Sequence, residues 1–97
     1  MTATDPGALD RLVHEPARLA ILAVLAAVEE ADFLFLLGQT GLTKGNLSSH
    51  AAKLEDAGYI VIEKTFVEKT PRTVYRLTEE GTEAFDTYRS KMQEFLG

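Results

Sequence analysis

At 97 residues and 45% hydrophobic content, the chain has the length of one domain and enough apolar residues for a single core. It contains no cysteine, which excludes thiolate metal sites, disulfides and thiol redox switches. The formal net charge of −5 weighs against a nucleic-acid partner, because Lys and Arg opposite phosphates supply most non-specific affinity.

Residues 1–7 lack the basic and apolar regions of a signal peptide and include the turn-forming Asp5-Pro6-Gly7, so a flexible, uncleaved terminus is expected, ahead of a single domain over 8–97. Leu9, Leu12 and Val13 opposite Asp10 and Arg11 predict a short amphipathic helix over 8–13, ending near His14. Pro16 suits the first turn of a second helix, since its missing N–H would be unpaired there. Ala17 to Val28 is almost wholly apolar, as in a helix enclosed on most sides. The run Leu19–Val28 falls well short of the roughly 20 residues that span a bilayer, so a buried helix and a cytoplasmic location are expected. Arg18 reads as a surface or ion-paired side chain. His14 and His50 are the only histidines and neither has carboxylates at ligand spacing, so no metal or cofactor is expected.

After a polar break at Glu29, Glu30 and Asp32, the chain is closely punctuated. Asp32 is placed to N-cap a helix over 33–39, in which Phe33, Leu36 and Leu37 share one face. Gly41 supplies a turn of positive φ, Leu42 anchors it, and Thr43 caps a reading helix over 44–57 closed by a left-handed Gly58. Setting Leu47 at zero and stepping 100° per residue puts Ala51, Leu54 and Gly58 within about 40° of it. The opposite arc carries Gly45, Ser49, Ala52, Lys53 and Asp56, bordered by Asn46 and Ser48. That face is small, polar and weakly basic: Asn46 is able to bond adenine, Ala52 to touch a thymine methyl, and Lys44 and Lys53 to meet phosphates. Gly45 would allow close backbone approach, and His50, included among the candidate DNA contacts, falls at the edge of the buried arc, where a partly buried imidazole bonded to backbone competes with a phosphate contact.

Residues 59–67 and 72–77 are rich in β-branched and aromatic side chains around Glu68-Lys69-Thr70-Pro71, which predicts a hairpin wing over 59–77. Ile60, Ile62, Tyr75 and Leu77 would face inward, with Lys64 near the base and Lys69 and Arg72 at the tip. Charge follows the same division. Residues 1–43 sum to −4, 44–76 to +2 and 77–97 to −3, so the one positive stretch coincides with the proposed reading helix and wing. Thr78 would cap a last helix over 79–96, in which Phe85, Tyr88, Met92 and Phe95 form a coiled-coil stripe better explained by a partner helix than by the chain's own core.

The order of helix, turn, helix and hairpin predicts a mainly α fold with a small β wing, whose second helix fits a major groove of double-stranded DNA. HEPARLAIL, GLTKGNLSSHAAKLEDAGYI and RTVYRLTEEG resemble the compact winged helix-turn-helix transcriptional regulators related to the MarR and ArsR families. The resemblance runs from about Leu9 to Leu96. It implies a homodimer joined by N- and C-terminal helices, with Leu9 and Leu12 joining the C-terminal stripe at the interface, on a pseudo-palindromic site. Relatives often carry Arg and Leu where this chain has Ser49 and Ala51, and a more basic, glycine-containing tip where it has Glu68-Lys69-Thr70, so weaker DNA affinity is expected. A small-molecule effector lined by Phe33, Phe35, Tyr88 and Met92 would fit between the dimer helices and the core. A winged-helix protein-interaction module without DNA contact is the alternative, drawing on net acidity, Ser49 and Glu68. No nucleophile, base and orienting group converge and no phosphate-binding glycine loop appears, so an enzyme is not expected.

Overall fold

The computed structural model describes residues 9–97, so the expectation of a flexible end over 1–7 lies outside the described residues. Four helices and three strands follow in the order α1 (Pro16–Ala26), β1 (Ala31–Asp32), α2 (Phe33–Thr40), α3 (Lys44–Asp56), β2 (Ile60–Val67), β3 (Thr70–Leu77) and α4 (Glu79–Leu96). The strands form one antiparallel sheet in the order β1-β3-β2.

The helix ends sit where the side chains can satisfy them. Glu15, Asp32, Thr43 and Thr78 each accept a backbone N–H three residues on, from Arg18, Phe35, Asn46 and Gly81. Pro16 occupies the first helical position of α1, and Gly41 and Gly58 take φ of 70° and 81° where the chain turns out of α2 and α3. The core forms where these helices meet the sheet. Ile21, Leu22 and Leu25 of α1 pack with Leu36 of α2, Leu47, Ala51 and Leu54 of α3, and Ile60 and Tyr75 of the hairpin, all buried. Burying each aliphatic side chain contributes about 1.5–3 kcal/mol relative to exposure, which the core needs to offset the ordering of so small a chain.

The predicted N-terminal helix does not form. The Asp10 carboxylate accepts the N–H groups of Leu12 (2.9 Å) and Val13 (3.4 Å), and the His14 N–H reaches the Asp10 carbonyl at 2.7 Å, giving one isolated turn. A side chain that offers the backbone such a local acceptor competes with helix propagation. The turn still buries Leu9 and Val13. A second difference is β1, which pairs Ala31 with Tyr75 and Asp32 with Val74 and makes the expected hairpin a three-stranded sheet.

The hairpin turn is tighter than expected. Thr70 and Pro71 belong to β3, opposite Val67 and Phe66, and only Glu68 and Lys69 turn the chain, at φ of 50° and 70°. Positive φ at both residues is the geometry of a two-residue turn that matches strand twist. The ladder pairs Ile60 with Leu77 and Ile62 with Tyr75, with these four facing inward as expected.

The join between hairpin and α4 is close. Thr78 N–H donates to the Tyr59 carbonyl at 3.0 Å, Thr78 Oγ1 donates to the Gly58 carbonyl at 2.6 Å, and Gly81 lies buried against the Tyr59 backbone. Along α4, Phe85 and Tyr88 are 8% and 5% exposed, so these two stripe residues lie on the chain's own core. The molecule is elongated, 55 × 25 × 21 Å, and Phe66 and Val67 of the wing and Phe95 and Leu96 at the end of α4 are uncovered.

Candidate nucleic-acid interface

The candidate interface is built on α3. Its inward arc, Leu47, Ala51 and Leu54, is fully sequestered, and this fixes the rotation of the helix. Lys44, Gly45, Asn46, Ser48, Ser49, Ala52 and Lys53 consequently all stand exposed, as the 3.6-residue period predicts. Thr43 consumes the Asn46 N–H at 3.1 Å but leaves the amides of the first turn facing outward at the positive end of the helix dipole. A Cβ added to Gly45 would meet nothing within 4 Å, so its small size serves no packing purpose inside the chain.

His50 departs from expectation. The imidazole is half-buried and held by side chains, with Nδ1 at 3.2 Å from an Arg18 guanidinium nitrogen and Nε2 at 3.9 Å from a Glu15 carboxylate oxygen. A guanidinium only donates, so Nδ1 is the acceptor and Nε2 carries the hydrogen toward Glu15. Glu15 also caps α1, and the Arg18 amide bond, outweighing desolvation and helped by the Arg18 guanidinium, holds its carboxyl below the usual range. Arg18 in turn donates from Nε to the Leu12 carbonyl. His50 therefore ties α3 to α1 through Arg18 and Glu15, side chains rather than the expected backbone.

The wing separates its charges by face. One side carries Lys64, Phe66, Pro71 and Thr73, and the other carries Glu63, Thr65, Arg72 and Arg76, because strand partners share a side and neighbours alternate. Arg72 is not at the tip. Opposite Thr65, it faces Glu30 at 3.8 Å and Asp32 at 3.7 Å, and the short β1 brings those acids alongside. Arg76 pairs with Glu63. The arginines of the positive stretch are thus occupied, whereas among the described residues Lys44, Lys53, Lys64 and Lys69 make no ion pair. The cationic surface left for a ligand is made of lysines, which meet phosphates as point charges and do not make the bidentate guanidinium contact to guanine.

The other candidate positions divide. Leu9 is buried beneath the core and Leu12 half-covered, so the N-terminal turn contributes to the fold within one chain. Tyr88 is fixed by a 2.7 Å bond between its hydroxyl and His14 Nδ1, and of the remaining apolar residues of α4 Met92 is half-covered while Phe95 and Leu96 are uncovered. Phe33 packs against Tyr75 with ring centroids 6.4 Å apart. Phe35 opens on a groove with Val28, Ala31 and Arg72, whereas Tyr88 and Met92 border a different groove along α4. The four proposed effector-lining residues therefore do not meet in one cavity of the single chain. No group of His, Cys, Asp and Glu among the described residues could hold a metal ion, and no helix there is long and apolar enough to cross a membrane.

A family model described as a winged helix DNA-binding domain matches residues 17–96. The chain belongs to that family. It is a family of DNA-binding, non-enzymatic proteins, in keeping with the winged-helix motifs read from the sequence, and the solved structures of similar fold include proteins described as transcriptional regulators. A transcriptional regulator homologue from Pyrococcus horikoshii OT3 superposes with a TM-score of 0.89 at 28% identity, over 99% of this chain and 95% of that one. An uncharacterized protein of Methanocaldococcus jannaschii is 32% identical over 78 residues, 80% of this chain and 85% of its own length. The PcaV transcriptional regulator of Streptomyces coelicolor, solved with its natural ligand, shares the fold with a TM-score of 0.75 at 18% identity, over 99% of this chain and 78% of its own.

Proposed function

We propose that this winged-helix domain is a sequence-specific, homodimeric regulator of transcription acting in the cytoplasm, each subunit laying α3 in one of two successive major grooves of a pseudo-palindromic site. The observation that carries the reading is the uncovered outer arc of α3, small and polar enough for close approach, beside the unpaired lysines of helix and wing. Phosphate contact falls to Lys44, Lys53, Lys64 and Lys69. Base readout falls to Asn46, Ser48, Ser49 and Ala52, which favours A·T pairs at the centre of each half-site: Asn bonds adenine, Ala meets the thymine methyl, and the two arginines of the positive stretch, Arg72 and Arg76, are engaged with acids rather than free for guanine. An effector would use the groove beside Tyr88 and Met92.

A salt titration tests the reading, with duplexes recovered by the protein from a random-sequence pool. Four lysines in each of two subunits give a slope of log K against log salt of about −7, and each Lys→Gln change should reduce its magnitude by about 2 per dimer. Asn46→Ala should weaken binding by about 1–3 kcal/mol and relax preference at one position of the half-site. Absence of binding at low salt, or a slope indifferent to the lysines, would reject the reading. The protein-interaction alternative rests on the net charge of −5 and on the arginines already engaged with acids.

A further inference from the structure

The wing tip carries an aromatic side chain that the fold does not use. Phe66 is 71% exposed, although it sits on the same side of the hairpin as Ile60 and Ile62, because the sheet runs on past the core. Its cross-strand partner is Pro71, also exposed, so the two make one apolar end to that face. Lys64, two residues before Phe66, lies about 7 Å away along the same side and forms no ion pair among the described residues. No carboxylate of β2 or β3 shares this side, since Glu63 belongs to the opposite one, paired with Arg76. At the turn itself Lys69 stands beside Glu68, so the tip proper is locally neutral and the positive charge of this face comes from Lys64.

Resting on the DNA-binding reading above, we propose that Phe66, backed by Pro71, is an apolar wedge that enters the minor groove next to the major groove occupied by α3, with Lys64 held on the flanking phosphate. The occupant is set by charge and continuity: a cationic, acid-free face with an uncovered aromatic end, in the same chain as a reading helix with an uncovered polar arc. Minor-groove proteins insert such side chains between base steps, partly unstacking them and bending the duplex toward the major groove. Flexible pyrimidine–purine steps yield most easily, so the wedge would confer sequence preference at positions outside those touched by α3. A two-residue turn and a continuous eight-residue ladder carry Phe66 to this position.

The test compares wild type with Phe66→Ala, Phe66→Trp and Lys64→Gln on duplexes recovered by the wild-type protein from a random pool. Energy transfer between the duplex ends reports bending, and 2-aminopurine at the flanking step reports unstacking. Phe66→Ala should weaken binding roughly five- to tenfold at an unchanged salt slope and lose both signals, with Phe66→Trp restoring them. Lys64→Gln should flatten the salt slope and leave the bend. Phe66 is so exposed that its replacement leaves the fold intact, which far-ultraviolet circular dichroism checks. If Phe66→Ala matches wild type in affinity, bend and unstacking, the wedge is refuted while DNA binding stands. Sedimentation without DNA closes the other route: a lower oligomer mass for Phe66→Ala with an unaltered bend would make Phe66 a contact between copies of the chain, and refute the wedge. Failure of the wild type to bind any duplex at low salt would remove the DNA-binding reading itself, and the wedge with it.

Discussion

A single glycine decides how α4 can leave the hairpin. Gly81 is buried with the Tyr59 backbone against it, and a Cβ there would overlap the Tyr59 carbonyl oxygen and stand 2.8 Å from its carbon. The obstacle is backbone already committed to the Thr78 N–H, so it cannot swing aside. Gly81→Ala should destabilise the domain by about 1–3 kcal/mol despite Ala's better helix propensity, measured by urea unfolding. A variant as stable as wild type would show that the join is slack. By contrast, Gly45→Ala meets no atom of the chain and isolates any effect on DNA approach. Residues of local consequence were legible in the sequence: Asp32, Thr43 and Thr78 as caps, and Gly41 and Gly58 at positive φ, all stand as expected. Gly81 was not legible, because its constraint lies in a carbonyl 22 positions earlier whose place is known only once the fold is closed. Arg72 escaped for the same reason, since the acids that neutralise it arrive through β1.

At the scale of elements, the segment from Leu9 to Glu15 acts as a tie although it is not a helix. Asp10 holds its turn and accepts the Tyr59 hydroxyl at 2.7 Å, Leu12 receives Arg18, and His14 bonds Tyr88, so one short stretch touches the hairpin base, α1 and α4. The apolar spacing of this stretch was readable, and Leu9 and Val13 are indeed buried. What the spacing could not reveal is that Asp10 would spend its carboxylate on nearby N–H groups and on Tyr59. The strand β1, two residues long, carries too little pattern to be read without its partner β3. The tie has a pH signature. Its bond to the Asp10 carboxylate, aided by burial, pushes the Tyr59 phenol up to about 12. The unfolded value is about 10, so the folded state favours the neutral phenol: this stability is complete below pH about 10 and disappears as pH rises toward about 12. Tyr59→Phe should therefore be less stable at neutral pH and lose less stability on going to high pH. A residual alkaline decline should persist, since burial also raises Tyr75 and Tyr88. Chemical denaturation at a series of pH values checks this; an alkaline limb identical to wild type would show that the Asp10 bond contributes nothing.

At the scale of the whole molecule, the proposed homodimer asks different things of the two halves of α4. A single chain has one reading helix, and equivalent major grooves recur about 34 Å apart along one face of a duplex, so recognition of a two-fold site needs a second copy. The stripe on α4 suggested that copy, yet its first half faces inward: Phe85 and Tyr88 are buried, and Tyr88 is bonded to His14. The part free to meet a partner is the last turn and a half, where Met92 is half-covered, Phe95 is 38% exposed and Leu96 is 77% exposed. These two halves predict opposite phenotypes. Phe85→Ala should unfold the domain by about 3–5 kcal/mol, as deletion of a core aromatic does. Phe95→Asp with Leu96→Asp should leave cooperative unfolding of the subunit intact while halving the mass seen in sedimentation. Because the second half-site contact is then no longer intramolecular, affinity for a two-half-site duplex should fall by about 10²-fold or more, with binding to one half-site little altered. The measurement is sedimentation of both variants followed by titration with full and half duplexes. If the double aspartate keeps the wild-type mass, the exposed end of α4 is not the seam, and the dimer contact must lie on another surface.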